Sequence, residues 1–287
     1  MIKNRTGKRL IALDLDGTVM GRERIISQRV RHAVKQAIDQ GHLVTIATGR
    51  GFAPTAHFAQ DLGVNAPIIC YQGALVRDYR DGRTVHSATI PLPVARDLID
   101  FSETRKLNFQ VYTQDDRAYV SQLNSVAEGI AELSGIPVTA VKDLAGWLSH
   151  PPIKFIFFEQ EESVPELVRN MQAQFDGHLQ VVRSWDQLIE ATGPSISKGE
   201  ALARLAVYMG VAQAETIAVG DQDNDVRMIA WAGLGVAMGN ASPAAKAAAD
   251  VVAPALEADG AAWVIEQYVL GKGAVGDESS EDSSRAR

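Results

Sequence analysis

Short apolar runs recur in the first third of the chain and alternate with predicted helices. The runs Leu10–Leu13, Leu43–Ala47 and Pro67–Tyr71 are almost continuously apolar, and helical segments near Ser27–Gln40 and Pro54–Leu62 lie between them. Strands that are covered on both faces of a parallel sheet give such runs, and alternation of strand and helix is typical of doubly wound domains. The pattern predicts an α/β fold with a doubly wound, Rossmann-like parallel sheet.

The same alternation resumes at Ser197. A helix is predicted over Lys198–Tyr208, and a strand is predicted over Thr216–Val219. These later elements complete the first domain, which is therefore interrupted in sequence. The remaining ones are helices at Asp225–Ala232, Pro243–Ala249 and Gly260–Tyr268 and strands at Gly235–Ala237 and Val251–Val252.

The middle of the chain has a different rhythm, with short strands of mixed polarity. Asp115 and Asp116 suit a hairpin turn between two of these strands. We expect an α+β insert with its own sheet, and hence a discontinuous core of residues 1–77 and 193–270, an inserted domain of residues 78–192 and a disordered tail of residues 271–287. The predicted insert has strands at Thr84–Ile90, Asn108–Thr113, Ala118–Ser121, Pro137–Val141, Ile153–Glu159, Leu179–Ser184 and Leu188–Ala191, and helices at Asn124–Ser134 and Val164–Phe175.

Composition narrows the class of protein. The length of 287 residues suits about two domains, and 46% hydrophobic residues supply a core. The formal charge of −7 disfavours nucleic acid as the main partner. Cys70 is the sole cysteine, so no intramolecular disulfide is expected, and neither a signal peptide nor a membrane span is recognisable. We expect a cytoplasmic protein without a membrane partner, either a monomer or a homodimer.

Polar residues lie at the predicted strand ends or helix starts of the core. Asp14 and Asp16 leave the first strand on the same side, because side chains alternate along a strand. Two carboxylates held close repel each other unless a cation or a shared proton lies between them. Ligands bind outside the carboxyl ends of the strands of an open α/β sheet, so the polar groups should meet in one crevice. The other polar sites are Thr48-Gly49-Arg50, Ser197-Lys198-Gly199 and the run from Gly220 to Asp225.

This set of residue types suits phosphoryl transfer, which needs a clamp of cations and hydrogen-bond donors around the moving group. Asp14 and Asp221 offer carboxylate oxygens to Mg²⁺, a cation that accepts one or two carboxylates and keeps several waters. The groups that could hold the phosphoryl oxygens are the Thr48 hydroxyl, the Lys198 ammonium and the backbone N–H groups of Gly17 and Gly49.

The motifs, in this order and around an insert of this size, resemble the haloacid dehalogenase superfamily. The similar branch is that of the Cof-type phosphatases of subclass IIB, which carry a large α/β cap between the second and third motifs. The resemblance rests on Asp14-Leu15-Asp16-Gly17-Thr18 and on Gly220-Asp221-Gln222-Asp223-Asn224-Asp225, with the two shorter motifs between them. It implies a Mg²⁺-dependent phosphatase that acts on a small phosphorylated metabolite, such as a sugar phosphate or a phosphorylated cofactor.

The resemblance also implies roles for individual residues. Asp14 would be the nucleophile that forms an aspartyl-phosphate, and Asp16 would protonate the leaving group and then deprotonate water. Thr48 and Lys198 would hold the phosphoryl group. The implied metal site consists of Asp14, the backbone carbonyl of Asp16, Asp221 and the supporting residue Asp225.

The implied substrate-binding set contains one departure from the family. Gln72 precedes Gly73 where the family usually carries asparagine, and the extra methylene group is expected to alter substrate preference rather than catalysis. Two interpretations of Arg50 stay open, since it could bind substrate or pair with a carboxylate of the cap. The full set is Gly17, Gly49, Arg50, Gln72, Gly73 and Asn224.

Other functions stay open on the sequence alone. A phosphomutase of the same superfamily would pass the phosphoryl group to a second hydroxyl and release no inorganic phosphate. A phosphoaspartate signalling protein would keep a long-lived aspartyl-phosphate, although such a protein does not need a second domain over its site. A non-catalytic metabolite-binding protein is disfavoured, because Asp14 and Asp16 are both intact acids.

Overall fold

The computed structural model of the chain describes residues 7–185 and 187–271. The predicted disordered tail, residues 271–287, lies outside the described residues apart from Gly271. The strands are β1 (Leu10–Leu13), β2 (Leu43–Ile46), β3 (Ile68–Cys70), β4 (Leu75–Arg77), β5 (Thr84–Ser87), β6 (Phe109–Tyr112), β7 (Ala118–Val120), β8 (Val138–Ala140), β9 (Lys154–Phe158), β10 (Gln180–Trp185), β11 (Leu188–Thr192), β12 (Thr216–Gly220), β13 (Leu234–Ala237) and β14 (Val251–Val252).

The helices lie mainly between these strands. Over the described residues, none of them combines the length and the apolar character that crossing a membrane requires. They are α1 (Gln28–Asp39), α2 (Phe52–Leu62), α3 (Leu92–Thr104), α4 (Ser125–Ser134), α5 (Leu144–Trp147), α6 (Val164–Gln174), α7 (Lys198–Met209), α8 (Val226–Trp231), α9 (Pro243–Ala248) and α10 (Gly260–Tyr268).

Five parallel strands form the centre of the core, in the order β14-β13-β12-β1-β2. Both faces of β1 are buried, which explains its unbroken apolar run. Ile11 and Leu13 belong to an apolar cluster with residues of α1, whereas Leu10 and Ala12 cluster with residues of α7. Helices on both faces are the expected cover for a parallel sheet. The predicted fold class, a doubly wound core with an inserted cap, is confirmed.

The strand order reverses at β1, which pairs with β2 on one side and with β12 on the other. Ligands of open α/β sheets bind outside the carboxyl ends of the strands at such a reversal. Asp14 follows β1 directly, and Asp221 follows β12 directly. The sheet therefore brings together two loops that are far apart in sequence.

The third predicted strand, within Pro67–Tyr71, lies beside the end of β2 and parallel to it, and it also begins a second, antiparallel sheet. β3 pairs with β4 in an antiparallel sheet of order β3-β4-β5, and an isolated parallel bridge between Ala47 and Ile69 links it to the end of β2. The second sheet arises from the turn after β3, where Tyr71, Gln72 and Gly73 have φ values of 53°, 59° and 103°. This left-handed stretch reverses the chain at once, so that β4 returns along β3.

The inserted domain contains a six-stranded sheet of order β10-β11-β9-β6-β7-β8. One face of this sheet carries Phe155 and Phe157 and packs in a cluster with residues of α3 and α6. The other face carries Tyr112 and Ile156, which belong to the main core cluster. The cap therefore rests on the core with one face of its sheet. β5, which was predicted as part of the insert, pairs instead with β4. The domain boundaries at residues 77 and 193 stay a prediction.

Helix α3 is an element that the sequence analysis missed. Pro91 and Pro93 lie at its start. Prolines interrupt an apolar sequence pattern, but the first turn of a helix tolerates them well. Ala95, Leu98 and Ile99 are buried at helical spacing. The period of 3.6 residues was therefore present, and the prolines marked the beginning of the helix rather than a loop.

Gly73 gives a test of how tightly the turn after β3 packs against the site. A Cβ at Gly73 would lie 2.3 Å from the Ser197 carbonyl oxygen, whereas a Cβ at Gly63, also with positive φ, would meet nothing within 4 Å. We expect Gly63→Ala to cost about 1–2 kcal/mol for the left-handed backbone, and Gly73→Ala to cost clearly more. Urea unfolding of both variants checks this, and an equal loss would contradict the close packing.

Candidate active site

A lysine lies between two buried carboxylates at the centre of the site. The Lys198 Nζ atom is 2.6 Å from Asp14 Oδ1 and 2.7 Å from Asp225 Oδ1, and all three side chains are buried. Asp14 follows β1, Lys198 begins α7, and Asp225 lies just before α8. Buried charges cost several kcal/mol each unless they are paired and hydrogen-bonded, so these three groups must be treated as one unit.

The pKa values of this unit follow from burial and mutual attraction. Burial raises the pKa of Asp14 well above its ordinary value, and the Lys198 ammonium lowers it in part. Burial alone would lower the pKa of Lys198, but the charges of Asp14 and Asp225 outweigh that effect and raise it. Lys198 is therefore a permanent cation next to Asp14.

Asp14, Asp221 and Asp225 form a cluster that could hold a metal ion. One carboxylate oxygen of each lies within 4.8 Å of the others. Three oxygen donors of this kind fit a hard divalent cation such as Mg²⁺. Asp225 Oδ2 already accepts hydrogen bonds from the backbone N–H groups of Asp221 and Gln222. Asp14 and Asp221 are therefore better placed than Asp225 to bind a cation directly.

Gly17 allows the loop after β1 to approach Asp221. Its φ is +89°, and a Cβ at this position would lie 2.2 Å from Asp221 Oδ2. The next residue, Thr18, donates a hydrogen bond of 2.9 Å to Asp221 Oδ1. Burial raises the pKa of Asp221, while the hydrogen bond from Thr18 lowers it in part. The glycine and the threonine of the first motif thus join the two strand ends.

Asp16 lies at the solvent side of the site and is paired with Arg50. Two hydrogen bonds of 2.7 Å join the guanidinium to the carboxylate, of which 52% is exposed. This pair raises the pKa of Arg50 through the hydrogen bonds to Asp16. Arg50 therefore pairs with an acid of the core rather than with a carboxylate of the cap, and its contact with a substrate stays a prediction. Over the described residues, the Asp16 carboxylate lies outside the metal-type cluster, and the role of its backbone carbonyl stays a prediction.

Thr48 is buried at the end of β2, beside the loop that carries Asp14. Its Oγ1 accepts a hydrogen bond of 3.2 Å from the Arg50 N–H. The N-cap of α2 is Gly51, so Thr48 does not serve as a helix cap. The segment Thr48–Gly51, called here the Thr48 loop, is therefore turned back on itself between β2 and α2.

Gln72 connects the Thr48 loop with the loop after β12. A Cβ on Gly49 would lie 2.4 Å from Gln72 Nε2, which shows how closely the amide packs there. Gln72 Oε1 accepts a hydrogen bond of 3.0 Å from Asn224 Nδ2. The predicted substrate-binding residues Gly49, Gln72 and Asn224 thus lie together, and Gly73 packs against the residue before Lys198. Their contacts with a substrate stay predictions.

Asn240 is a residue of the site that the sequence analysis missed. Its Nδ2 donates a hydrogen bond of 2.8 Å to the Gly17 carbonyl oxygen, and its Oδ1 accepts one from the Leu256 N–H. Asn240 follows β13 at the same edge of the sheet as Asp14 and Asp221. The rule that ligand-binding residues follow the carboxyl ends of parallel strands would have identified Asn240.

Comparison with known proteins agrees with this arrangement. Residues 11–265 match the family described as haloacid dehalogenase-like hydrolase. The chain is 31% identical over 265 residues to the 5-amino-6-(5-phospho-D-ribitylamino)uracil phosphatase YitU of Bacillus subtilis, covering 90% of this chain and 97% of YitU. It is 27% identical to the pyridoxal phosphate phosphatase YbhA of Escherichia coli, covering 91% and 99% of the two chains. A haloacid dehalogenase-like hydrolase from Bacteroides thetaiotaomicron has the same fold, with a TM-score of 0.82, 26% identity and coverage of 91% and 99%.

The buried Asp14 carboxylate predicts an unusual effect on stability. Its pKa is higher in the folded protein than its ordinary value of 3.8, so the folded state binds the proton more tightly and its stability falls as pH rises above that value. Asp14→Asn removes this penalty, and its amide oxygen can still accept from Lys198. We expect metal-free Asp14→Asn to unfold at a higher urea concentration than wild type at pH 7, with a smaller difference near pH 4.

Asp39→Asn on the exposed end of α1 is the matched control for this experiment. Its carboxylate is 59% exposed and contacts Lys35, so its unfolding midpoint should stay within the error of wild type. A variant Asp14→Asn that is less stable than wild type at pH 7 would contradict the burial penalty.

Proposed function

The chain belongs to the haloacid dehalogenase-like hydrolases and is a phosphatase of that family, and we propose that it hydrolyses a small phosphorylated metabolite with Mg²⁺ and with Asp14 as nucleophile. The observation that carries this proposal is the buried Asp14–Lys198–Asp225 unit beside Asp221. A carboxylate that is held in place by a permanent cation, at the carboxyl end of a parallel sheet, is suited to attack a phosphorus atom.

In the first step, Asp14 attacks phosphorus and forms an aspartyl-phosphate, while the bond to the leaving oxygen breaks. Asp16 gives its proton to that oxygen. In the second step Asp16 takes a proton from water, whose oxygen attacks phosphorus, so that inorganic phosphate leaves and Asp14 is regenerated. Lys198 pairs with the Asp14 carboxylate before the attack and again after hydrolysis has released it, and the Thr48 hydroxyl can donate to a phosphoryl oxygen.

The metal site proposed here is built from Asp14, the backbone carbonyl of Asp16 and Asp221. Asp225 supports it from outside, because its oxygens already accept from Lys198 and from two backbone N–H groups. When bound, Mg²⁺ neutralises the negative charge that collects on the phosphoryl oxygens. The residues fit this ion because their donors are hard oxygens.

The proposed substrate is a phosphorylated cofactor, a cofactor precursor or a sugar phosphate. This class is supported by the printed activities of relatives, a phosphatase of a ribitylamino-uracil phosphate and a pyridoxal phosphate phosphatase. A cap that covers the carboxyl edge of the core sheet can contact the leaving group and exclude water from the first step.

The reaction class is tested by phosphate release from a panel of phosphorylated metabolites and p-nitrophenyl phosphate, with Mg²⁺ and with EDTA. We expect release that EDTA abolishes, and we expect Asp14→Asn to lose at least about 10³-fold in kcat while remaining folded, because the nucleophile is gone. Retained turnover in Asp14→Asn would refute the nucleophile. Transfer to a second hydroxyl without phosphate release would indicate a mutase instead, and a long-lived aspartyl-phosphate would indicate a signalling protein.

Magnesium binding is tested by its effect on stability rather than on activity. A cation that binds the folded state raises the unfolding temperature by an amount that grows with the logarithm of its concentration relative to its Kd. We expect millimolar Mg²⁺ to stabilise wild type, and Asp221→Asn to lose most of this shift. Asp223→Asn is the control, since Asp223 is in the same loop and accepts from Ser242. Equal shifts in wild type and Asp221→Asn would exclude Asp221 as a ligand.

A further inference from the structure

The cap contacts the core at the start of helix α2, directly after the Thr48 loop. Asp116, in the turn between β6 and β7, accepts a hydrogen bond of 2.8 Å from the Phe52 N–H through Oδ1 and one of 3.1 Å from the Ala53 N–H through Oδ2. The cap therefore supplies the hydrogen-bond acceptors for the first turn of a core helix.

Helix α2 depends on this contact because its own N-cap is a glycine. The first N–H groups of any helix have no partner within the helix, and a side-chain oxygen at the N-cap usually accepts from one of them. Gly51 has no side chain, and a Cβ there would lie 2.5 Å from Ile136 Cδ1 and 2.9 Å from the Tyr71 hydroxyl. The close packing of cap and core leaves no room for a local cap, and the carboxylate of Asp116 takes its place.

Tyr71 joins this contact to the Thr48 loop. Its hydroxyl donates a hydrogen bond of 2.6 Å to Asp116 Oδ1, and its N–H donates one of 2.9 Å to the Arg50 carbonyl oxygen. The residue is fully buried and has a left-handed backbone. Asp116 is thus connected both to the end of the Thr48 loop and to the residue that holds Arg50.

A second cap residue contacts the same loop from the sheet above it. Lys154 of β9 lies 3.4 Å from the Gly49 carbonyl oxygen and 3.4 Å from Glu190 Oε2. Its ammonium also lies 5.4 Å from the centre of the Tyr71 ring. The cap therefore meets the Thr48 loop at Gly49 and meets α2 at its first turn.

We propose that Asp116 is a positioning residue for phosphoryl transfer. By capping α2 from the other domain, it holds the Thr48 loop in the shape that presents the Thr48 hydroxyl and pairs Arg50 with Asp16, so the core site is complete only when the cap is docked. This proposal rests on the proposed function. Since Asp116 touches none of the reacting groups, it acts through the loop.

The test uses three variants of one turn in the full chain. Asp116 has a φ of 56°, a conformation that glycine adopts freely, so Asp116→Gly removes the carboxylate without straining the backbone. Asp116→Asn keeps one acceptor oxygen. Asp115→Gly adds the same flexibility to the neighbouring position, whose carboxylate is 63% exposed, and is the matched control.

The substrate is p-nitrophenyl phosphate with Mg²⁺, because its leaving group has no hydroxyl groups for the cap to recognise. Misplacement of a catalytic group by about 1 Å can cost about 100-fold in rate. We expect Asp116→Gly to lower kcat about 10- to 100-fold, with a change in KM below about threefold. The kcat of Asp116→Asn should lie between that of Asp116→Gly and that of wild type. The kcat of Asp115→Gly should stay within about twofold of wild type.

Amide hydrogen exchange provides a readout that does not depend on activity. We expect faster exchange at Phe52 and Ala53 in Asp116→Gly but not in Asp115→Gly, with unchanged exchange in the strands of the core sheet as evidence of folding. Unchanged kcat in Asp116→Gly, or unchanged exchange at both amides, would overturn the proposal. A wild-type protein that releases no phosphate from any substrate would instead overturn the proposed function, which separates the two failures.

Discussion

The rest of the site depends on the burial of Lys198 between Asp14 and Asp225. Without the ammonium, three carboxylates would lie within 4.8 Å of one another out of contact with water, and the folded protein would hold protons on them instead. A protonated Asp14 would be a poor nucleophile in the proposed reaction, so the ion pairs would serve its chemistry as well as stability. The same charges make the site a place where a divalent cation is favoured, because the cluster remains negative after Lys198 is counted.

The position of Lys198 is unusual, since a cation at the start of a helix is opposed by the helix dipole. Two features of the backbone fix it there. Ser197 caps α7 by accepting from the Glu200 N–H, and a Cβ on Gly199 would lie 2.5 Å from the Arg227 carbonyl oxygen. The first turn of α7 is thus pressed against the start of α8, which directs the Lys198 side chain towards the two carboxylates.

Much of this arrangement could be predicted, because parallel strands end at one edge and the sequence places Asp14 and Asp221 directly after two of them. The partners of side chains that meet across loops could not. Nothing local to Arg50 encodes its pairing with Asp16, which depends on how the Thr48 loop folds back. The antiparallel course of β4 depends on three consecutive residues with a left-handed backbone. No reliable sequence signal predicts that conformation at Tyr71 and Gln72. Asp116 was recognised as a turn residue, whereas its contact with α2 joins residues 64 positions apart.

One half of the site is buried and fixed, and the other half is partly exposed and held more weakly. Asp14, Lys198 and Asp225 are buried and each contact is charged, so loss of the Lys198 ammonium would leave uncompensated buried carboxylates, at a cost of about 3–5 kcal/mol. Asp16 and Arg50 are held by equally short hydrogen bonds, but the carboxylate is half exposed, and an exposed pair contributes about 1 kcal/mol or less. A nucleophile must keep one position in both steps, whereas an acid–base group must reach first the leaving oxygen and then water. The difference in burial therefore matches the tasks proposed for Asp14 and Asp16. The Thr48 loop, which carries Arg50 and contacts the cap, is where the proposed substrate would alter the position of Asp16.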